Sequence, residues 1–357
     1  MNIAYYISGH GYGHAVRSIE VIKSLAKDND HQIHIRTFAP QWLFNGLTAR
    51  VFCHCVRLEV GALQENSFSV AKEKTLQAYA DLLKQKSALL SAEKEFLKQH
   101  KIDVVVSDIT PFAFDAADEL NIPAIAIGNF SWDWIYSPWF EEFPRFNNGL
   151  LDIQNSYKKA NKLLRLPFYG DMSVFPNIVD IPLIGRKASL SKNVAREMLG
   201  LSGMMQKTIL LGLRYDDIKH SDINAVRHIK EYRFLTRHSE LKGENFIYFS
   251  EGDLPFEDIV NACDAVLSKP GYSMVAECIV NRTPFLYVPR DDFLEDIFLR
   301  KGLLDFSVCQ ELAMEDFISG NWLPFLNKLF SQDRHWPEIE LNGEFKAAEM
   351  IRKAVAC

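Results

Sequence analysis

A histidine closing a glycine-rich turn and an aspartate closing a β-branched run are the first residues in this chain with the means to do chemistry. The turn is Ser8-Gly9-His10-Gly11-Tyr12-Gly13-His14, between an apolar run at 2–8 and a helical pattern over 14–27. Glycines 9, 11 and 13 permit a tight turn and close approach of a ligand to the backbone. A dinucleotide fingerprint would place its third glycine at 14, where His14 stands, and no acidic residue follows the second strand at Thr37-Phe38-Ala39, so NAD is not expected. An imidazole at that helix start suits a general base for a hydroxyl. Asp108 ends Val104-Val105-Val106-Ser107-Asp108, and in the usual strand order the first and fourth strands are neighbours, which would bring it to the ring. Plainer roles compete: His14 could cap its turn, and Asp108 could N-cap the helix that starts at Pro111. Gly11, Gly13 and Arg17, one turn after His14, are candidates for a phosphate or an acceptor group; an ion pair is as good an expectation for Arg17.

A second constellation lies near residue 270. Ser268-Lys269-Pro270-Gly271-Tyr272-Ser273-Met274-Val275-Ala276-Glu277 follows a short strand and opens a helix. Gly271, Tyr272 and Ser273 at its N-terminus would receive a diphosphate, and Glu277, one turn on, a ribose diol. Gly212 and Arg214, after another strand, could approach and neutralise the diphosphate. In the acidic loop at 290–296, Glu295 and Asp296 suit sugar hydroxyls. Aromatics from Phe130 to Phe140, with Trp132 and Asp133 foremost, offer an acceptor surface or plain core packing. For each acid taken singly, a solvated first turn of a helix is an equal reading.

These loops need strands that end together. In the first half, strands read at 2–8, 32–38, 51–60, 102–106 and 124–127 alternate with helices at 14–27, 69–99 (single or broken) and 111–120. In the second, short strands read at 208–211, 232–235, 246–249, 265–267 and 284–288. Such alternation implies parallel sheets. The expectation is an α/β chain of two doubly wound, Rossmann-like domains facing a cleft: an acceptor-side domain at 1–182, a linker at 183–206, a nucleotide-sugar domain at 207–340 and a terminal helix at 341–357. A length of 357 residues suits two domains.

Gly-x-Gly-His in the first loop, with Gly271 six residues before Glu277 and a proline-containing strand after it, resembles the GT-B glycosyltransferases. Similar families are the UDP-sugar-dependent natural-product enzymes and the peptidoglycan N-acetylglucosaminyltransferases. Residues 6–17, 106–108, 129–136, 269–277 and 290–296 most resemble the glycosyltransferase-like N-terminal region of plant L-arabinokinases. The resemblance covers most of 2–305. It implies a nucleotide-sugar donor held by Glu277, Glu295 and Asp296, and an inverting, metal-independent transfer with His14 and Asp108 as the base pair. Glu295 and Asp296 stand where the peptidoglycan enzymes carry glutamines, which leaves the donor sugar open. No Gly-Leu-x-Ser-Ser phosphate loop occurs, so a sugar kinase is not expected.

Composition narrows the rest. A net charge of -6 with interspersed signs lacks the basic stripe of a nucleic-acid binder. No apolar run reaches the ~18–20 residues of a membrane span, and no basic leader precedes the first strand, so a cytoplasmic protein is expected. Cys53, Cys55, Cys263, Cys278 and Cys309 read as reduced thiols in apolar segments; Cys357 is the sixth cysteine. Cys53-His54-Cys55 lacks a second ligand pair, so no metal is expected, nor any cofactor beyond the nucleotide-sugar co-substrate. Asp28-Asn29-Asp30 precedes its strand and reads as a turn, not a metal motif. A nucleotide-sugar epimerase or hydrolase on the same scaffold, or a non-catalytic sugar-nucleotide-binding regulator, are the alternatives.

Overall fold

The computed structural model describes residues 1–27, 31–250, 252–333 and 335–354; Asp28-Asn29-Asp30 and Cys357 lie outside the described residues. The chain divides into two compact units, Met1–Leu63 with Val70–Ile184 and Glu340–Cys357, and Gln64–Ser69 with Gly185–Ile339. The expected 183–206 linker is thus mostly part of the second unit and holds a helix.

The first unit runs β1 (Asn2–Ile7), α1 (Gly13–Leu25), β2 (Gln32–Thr37), β3 (Val51–Cys55), α2 (Lys72–Leu83), α3 (Lys86–Gln99), β4 (Val104–Asp108), α4 (Phe112–Asp118), β5 (Ala124–Gly128), α5 (Trp132–Glu142), α6 (Asn147–Tyr157), β6 (Lys162–Arg165) and β7 (Ile178–Asp180). Its sheet has the order β3-β2-β1-β4-β5-β6-β7, with every pairing parallel. The central strands β1, β4 and β5 are apolar and buried on both faces, as parallel sheets covered by helices require. Ile7 is registered with Asp108, and Ser107 with Ala126. The loops after β1, β4 and β5 therefore leave the sheet side by side.

The second unit runs α7 (Lys192–Met198), β8 (Lys207–Leu211), α8 (Tyr215–Ile218), α9 (Ile223–Arg227), β9 (Tyr232–Thr236), β10 (Phe246–Tyr248), α10 (Phe256–Ala262), β11 (Ala265–Ser268), α11 (Tyr272–Val280), β12 (Phe285–Tyr287), α12 (Glu295–Phe306), β13 (Cys309–Glu311), α13 (Met314–Ser319) and α14 (Leu323–Ser331). Its parallel sheet has the order β10-β9-β8-β11-β12-β13. Leu211 pairs with Leu267, and Leu267 with Leu286, so the loops after β8, β11 and β12 also emerge together. The short arm Gln64–Ser69 joins this unit through Ser67 N, which donates to Asp217 (2.9 Å), and through Phe68, set edge-on to Phe317.

The last helix, α15 (Gly343–Lys353), returns to the first unit and packs on α1. Arg352 donates to Ser24 O (2.9 Å), and Leu341 bridges Leu183.

Some elements differ from the sequence reading. The strand expected over 51–60 stops at Cys55, and the chain beyond it folds over the end of the sheet to bury Glu59. The 69–99 pattern is a broken pair of helices. Strands β6, β7 and β13 were not expected; each has three or four residues, too few to show a period. Cys55 is exposed on edge strand β3 rather than buried.

Candidate active site and donor-side loops

In the first unit, the β1 loop and Asp108 come together as expected. His14, in the first turn of α1, has Nδ1 2.8 Å from Asp108 Oδ1. Asp108 is fully buried and carries more partners than its ring. Arg17 clamps it with two bonds, Nε to Oδ2 (2.7 Å) and Nη2 to Oδ1 (2.6 Å), and Ser18 Oγ donates to Oδ2 (3.1 Å). Burial alone would push the Asp108 carboxyl up; the charges of Arg17 and His14 overcome it and hold the group well below the ordinary carboxylate range. Arg17 Nη2 also lies 3.0 Å from His14 Nδ1. An ionised carboxylate only accepts, so a bond from His14 to Asp108 puts the ring proton on Nδ1 and leaves Nε2 with the lone pair; a bond from the Arg17 guanidinium to the same nitrogen would need the other tautomer.

Arg17 is 3% exposed, and its Nη1 donates to Asn129 Oδ1 (2.7 Å). Of the two expectations for Arg17, the ion pair is the one observed, in place of a phosphate or acceptor contact: its donors hold Asp108 and the β5 loop. Gly11 takes φ +70 with open space where a Cβ would stand, which only glycine adopts freely. Gly13 is the first residue of α1.

Trp132 is also corrected. It is 1% exposed, packed against Phe130, Tyr136 and His10, and forms a wall near the His14 ring rather than an open platform. Asp133 is buried beside it, with burial raising its carboxyl. The exposed aromatics nearby are Tyr12, after β1, and Trp42, after β2, each 47% exposed and set edge to face at 5.5 Å, which the sequence reading missed. It also passed over Glu59, a buried acid within the apolar segment 58–63, whose carboxylate joins the β1, β4 and α5 loops.

In the second unit, Gly271 caps the start of α11 with open space around it, as a ligand-approach position needs. Tyr272 is buried and Ser273 partly so. A Cβ on Gly212 would stand 2.8 Å from the terminal methyl of Met274 and 3.2 Å from Ser268. Arg214 keeps half its surface exposed and donates to Ser67 Oγ (2.9 Å).

Lys269, which the sequence reading quoted without a role, sits at the end of β11 among Arg290, Arg214, Asp217 and Glu295. Burial, with the repulsion of Arg290 and Arg214, brings its ammonium down to about 7. Its position directly between a strand end and a helix-opening glycine was the available signal.

The acids are more committed than expected. Glu277 is buried, with Oε1 held by Arg186 Nε (2.6 Å) and Nη2 (2.5 Å); a bidentate ribose contact requires Arg186 to give way. Asp296 is fully buried, with Oδ1 accepting from Arg290 Nε (3.0 Å) and Oδ2 3.2 Å from Arg300 Nε. It anchors the 290–296 loop and does not present a free carboxylate to a sugar. Glu295 lies 3.8 Å from Arg290. A pocket of about 900 Å³ opens at this end of the sheet, lined by Phe68, Asp217, Asp291, Asp292, Arg300 and Phe317 among others.

With this geometry in place, the chain can be set beside known proteins. Residues 1–133 match the family model described as glycosyl transferase family 1. Among solved structures, a UDP-glucosyltransferase from Polygonum tinctorium aligns over 100% of this chain and 98% of its own, at a TM-score of 0.64 and 13% identity. The chain has the GT-B fold. The spinosyn rhamnosyltransferase complexed with thymidine diphosphate aligns over 100% of this chain and 96% of its own, at a TM-score of 0.65 and 11% identity. The L-arabinokinase of Arabidopsis thaliana is 31% identical over 363 residues, covering 98% of this chain and 34% of that protein. This GT-B chain thus spans about a third of the length of that curated relative. Among the described residues, no helix is long and apolar enough to cross a membrane.

Proposed function

We propose that this GT-B chain transfers a sugar from a nucleoside-diphosphate sugar to an acceptor hydroxyl, with inversion and without a metal. The observation that carries the reading is the His14–Asp108 contact at 2.8 Å; donation from Nδ1 to the carboxylate would leave Nε2 as the base. Nε2 would take the proton of the acceptor hydroxyl as its oxygen bonds to the anomeric carbon. The bond from that carbon to the diphosphate would break, and the nucleoside diphosphate would leave with the electron pair. Lys269, Arg214 and the α11 N-terminus at Gly271–Ser273 would hold the diphosphate. Glu277, if released by Arg186, would take the ribose, and Glu295 the sugar. Tyr12 and Trp42 replace Trp132 as the aromatic surface for an acceptor.

A UDP donor follows the Polygonum tinctorium relative, and the thymidine diphosphate bound by the rhamnosyltransferase names the competitor. Thermal shift against UDP- and dTDP-sugars chooses between them; a ligand at 100 times its Kd contributes ~2.7 kcal/mol. With the donor in hand, His14→Ala should lower transfer by roughly 10²–10⁴-fold while donor affinity holds. Undiminished transfer would remove His14 from the chemistry, and donor turnover by the wild type that no acceptor accelerates would favour the hydrolase.

A further inference from the structure

Glu59 is a buried carboxylate for which no ion pair accounts. It is 2% exposed, on the segment that folds over the end of the first sheet after β3. Oε1 accepts from Ser8 Oγ and from Gly9 N (3.0 Å); Oε2 accepts from Trp132 Nε1 (3.2 Å) and Thr110 Oγ1 (3.3 Å). Each oxygen thus faces one group that can only donate, the Gly9 amide or the Trp132 indole, and one hydroxyl, Ser8 or Thr110, so that all four neighbours can donate to a carboxylate. Burial raises the group above the ordinary carboxylate range, and Ser8, His14, Trp132 and Gly9 offset part of that rise. Charges inside proteins are normally paired, because an unpaired one is expensive to desolvate. Here four neutral donors from three loops fill that place.

The charges around His14 explain what such a group could do. Asp108 touches the ring, but Arg17 grips Asp108 with two bonds, so that pair sums to zero. The other rings against His14, from His10, Phe130 and Trp132, carry no negative charge. Tyr136 and Tyr157, which also feel Glu59, are buried phenols held neutral, chiefly by burial. Glu59 bonds the Trp132 indole, whose ring lies 6.5 Å from that of His14, and the Gly9 amide of the turn that carries His14, and the charge of His14 favours its ionised form.

We propose that Glu59 is a positioning residue that supplies the net negative charge stabilising protonated His14, while Asp108, neutralised by Arg17, fixes the ring's tautomer and direction. This rests on the sugar-transfer reading, in which His14 Nε2 accepts the acceptor's proton. The same carboxylate ties Ser8-Gly9 to Trp132, so charge and loop geometry come from one side chain.

The test is an NMR titration of the His14 ring in the wild type and in Glu59→Gln, run beside donor turnover. The charge role predicts a titration midpoint about one pH unit lower in Glu59→Gln. Turnover should fall by about tenfold with the donor KM unchanged. An unmoved midpoint in folded Glu59→Gln overturns the proposal, even where turnover falls. Should Glu59→Gln not fold, because its amide would face the indole N–H, Glu59→Gln with Trp132→Phe removes that clash and is read the same way. A wild type that turns over no nucleotide sugar defeats the sugar-transfer reading instead; the titration still decides whether Glu59 governs the charge of His14.

Discussion

Asp108 and Lys269 occupy similar places, each at the end of a central strand, yet their surroundings treat charge in opposite ways. Around Asp108 the guanidinium of Arg17 keeps the carboxylate ionised. Around Lys269, burial and two nearby arginines lower the ammonium to about 7. A lysine in that condition binds an anion by taking up a proton. Nucleoside diphosphate affinity should therefore weaken as pH rises through about 7, where the unliganded side chain loses its charge. Calorimetric titration from pH 6 to 9 reads this slope, and Lys269→Met should flatten it while weakening binding at pH 6; an equal slope in both proteins would exclude Lys269. The positions of His14, Asp108 and Gly271 were legible in the sequence because each is fixed by the end of a strand. The partners that commit Arg17 and Glu277 were not. Arg17 and Asp108 are 91 residues apart, as are Arg186 and Glu277, and no local pattern records such a pairing.

At the scale of elements, the alternation of strand and helix was readable because central strands buried on both faces are written in β-branched runs. The edges were less so, and one edge holds a feature the sequence concealed. His34 on β2, His54 on β3 and His100 after α3 lie together, with His34 Nδ1 3.1 Å from His54 Nε2 and the His34 and His100 rings 4.3 Å apart. Arg36, paired with Glu93, and Phe96 pack beside them. Burial, then the charges of His100, His54 and Arg36, lower the His34 imidazole from 6.5 to about 4. An unfolded chain takes up that proton near pH 6.5, whereas the folded one waits until about 4. Stability is therefore lost as pH falls through this window and is fully regained above it. Melting curves at pH 7.5 and 5 measure the loss. His34→Gln should shrink the difference between them, and a difference that stays the same would assign the acid sensitivity elsewhere.

At the scale of the whole molecule, each unit is built from separated stretches of chain. Two domains and a terminal helix were legible, but the arm Gln64–Ser69 and the face on which α15 packs were not, since a local pattern records no distant partner. Ala347, Ala348 and Ile351 of α15 are fully buried, and a Cβ on Gly343 would stand 2.0 Å from Pro182 O. Truncation after Ile339 should expose the α1 face beneath α15 and destabilise the first unit, leaving nucleoside diphosphate binding by the second largely intact. Hydrogen exchange reads the two separately: protection should fall in β1, β4 and β5 and persist in β8 and β11. Uniform protection in both would mean that α15 contributes little.

The same return of the chain sets an order for synthesis. A ribosome making this protein completes β1 through β7 early, but the helix that covers α1 leaves only after every strand of the second sheet has been translated. Multidomain chains commonly fold from the N-terminus as they emerge. Here the first sheet must wait with one helical face uncovered, while the second can close as soon as its own residues are out. The unit whose strands are translated first is then the one that finishes folding last, and slow decoding of the α15 segment would lengthen its exposure to chaperones.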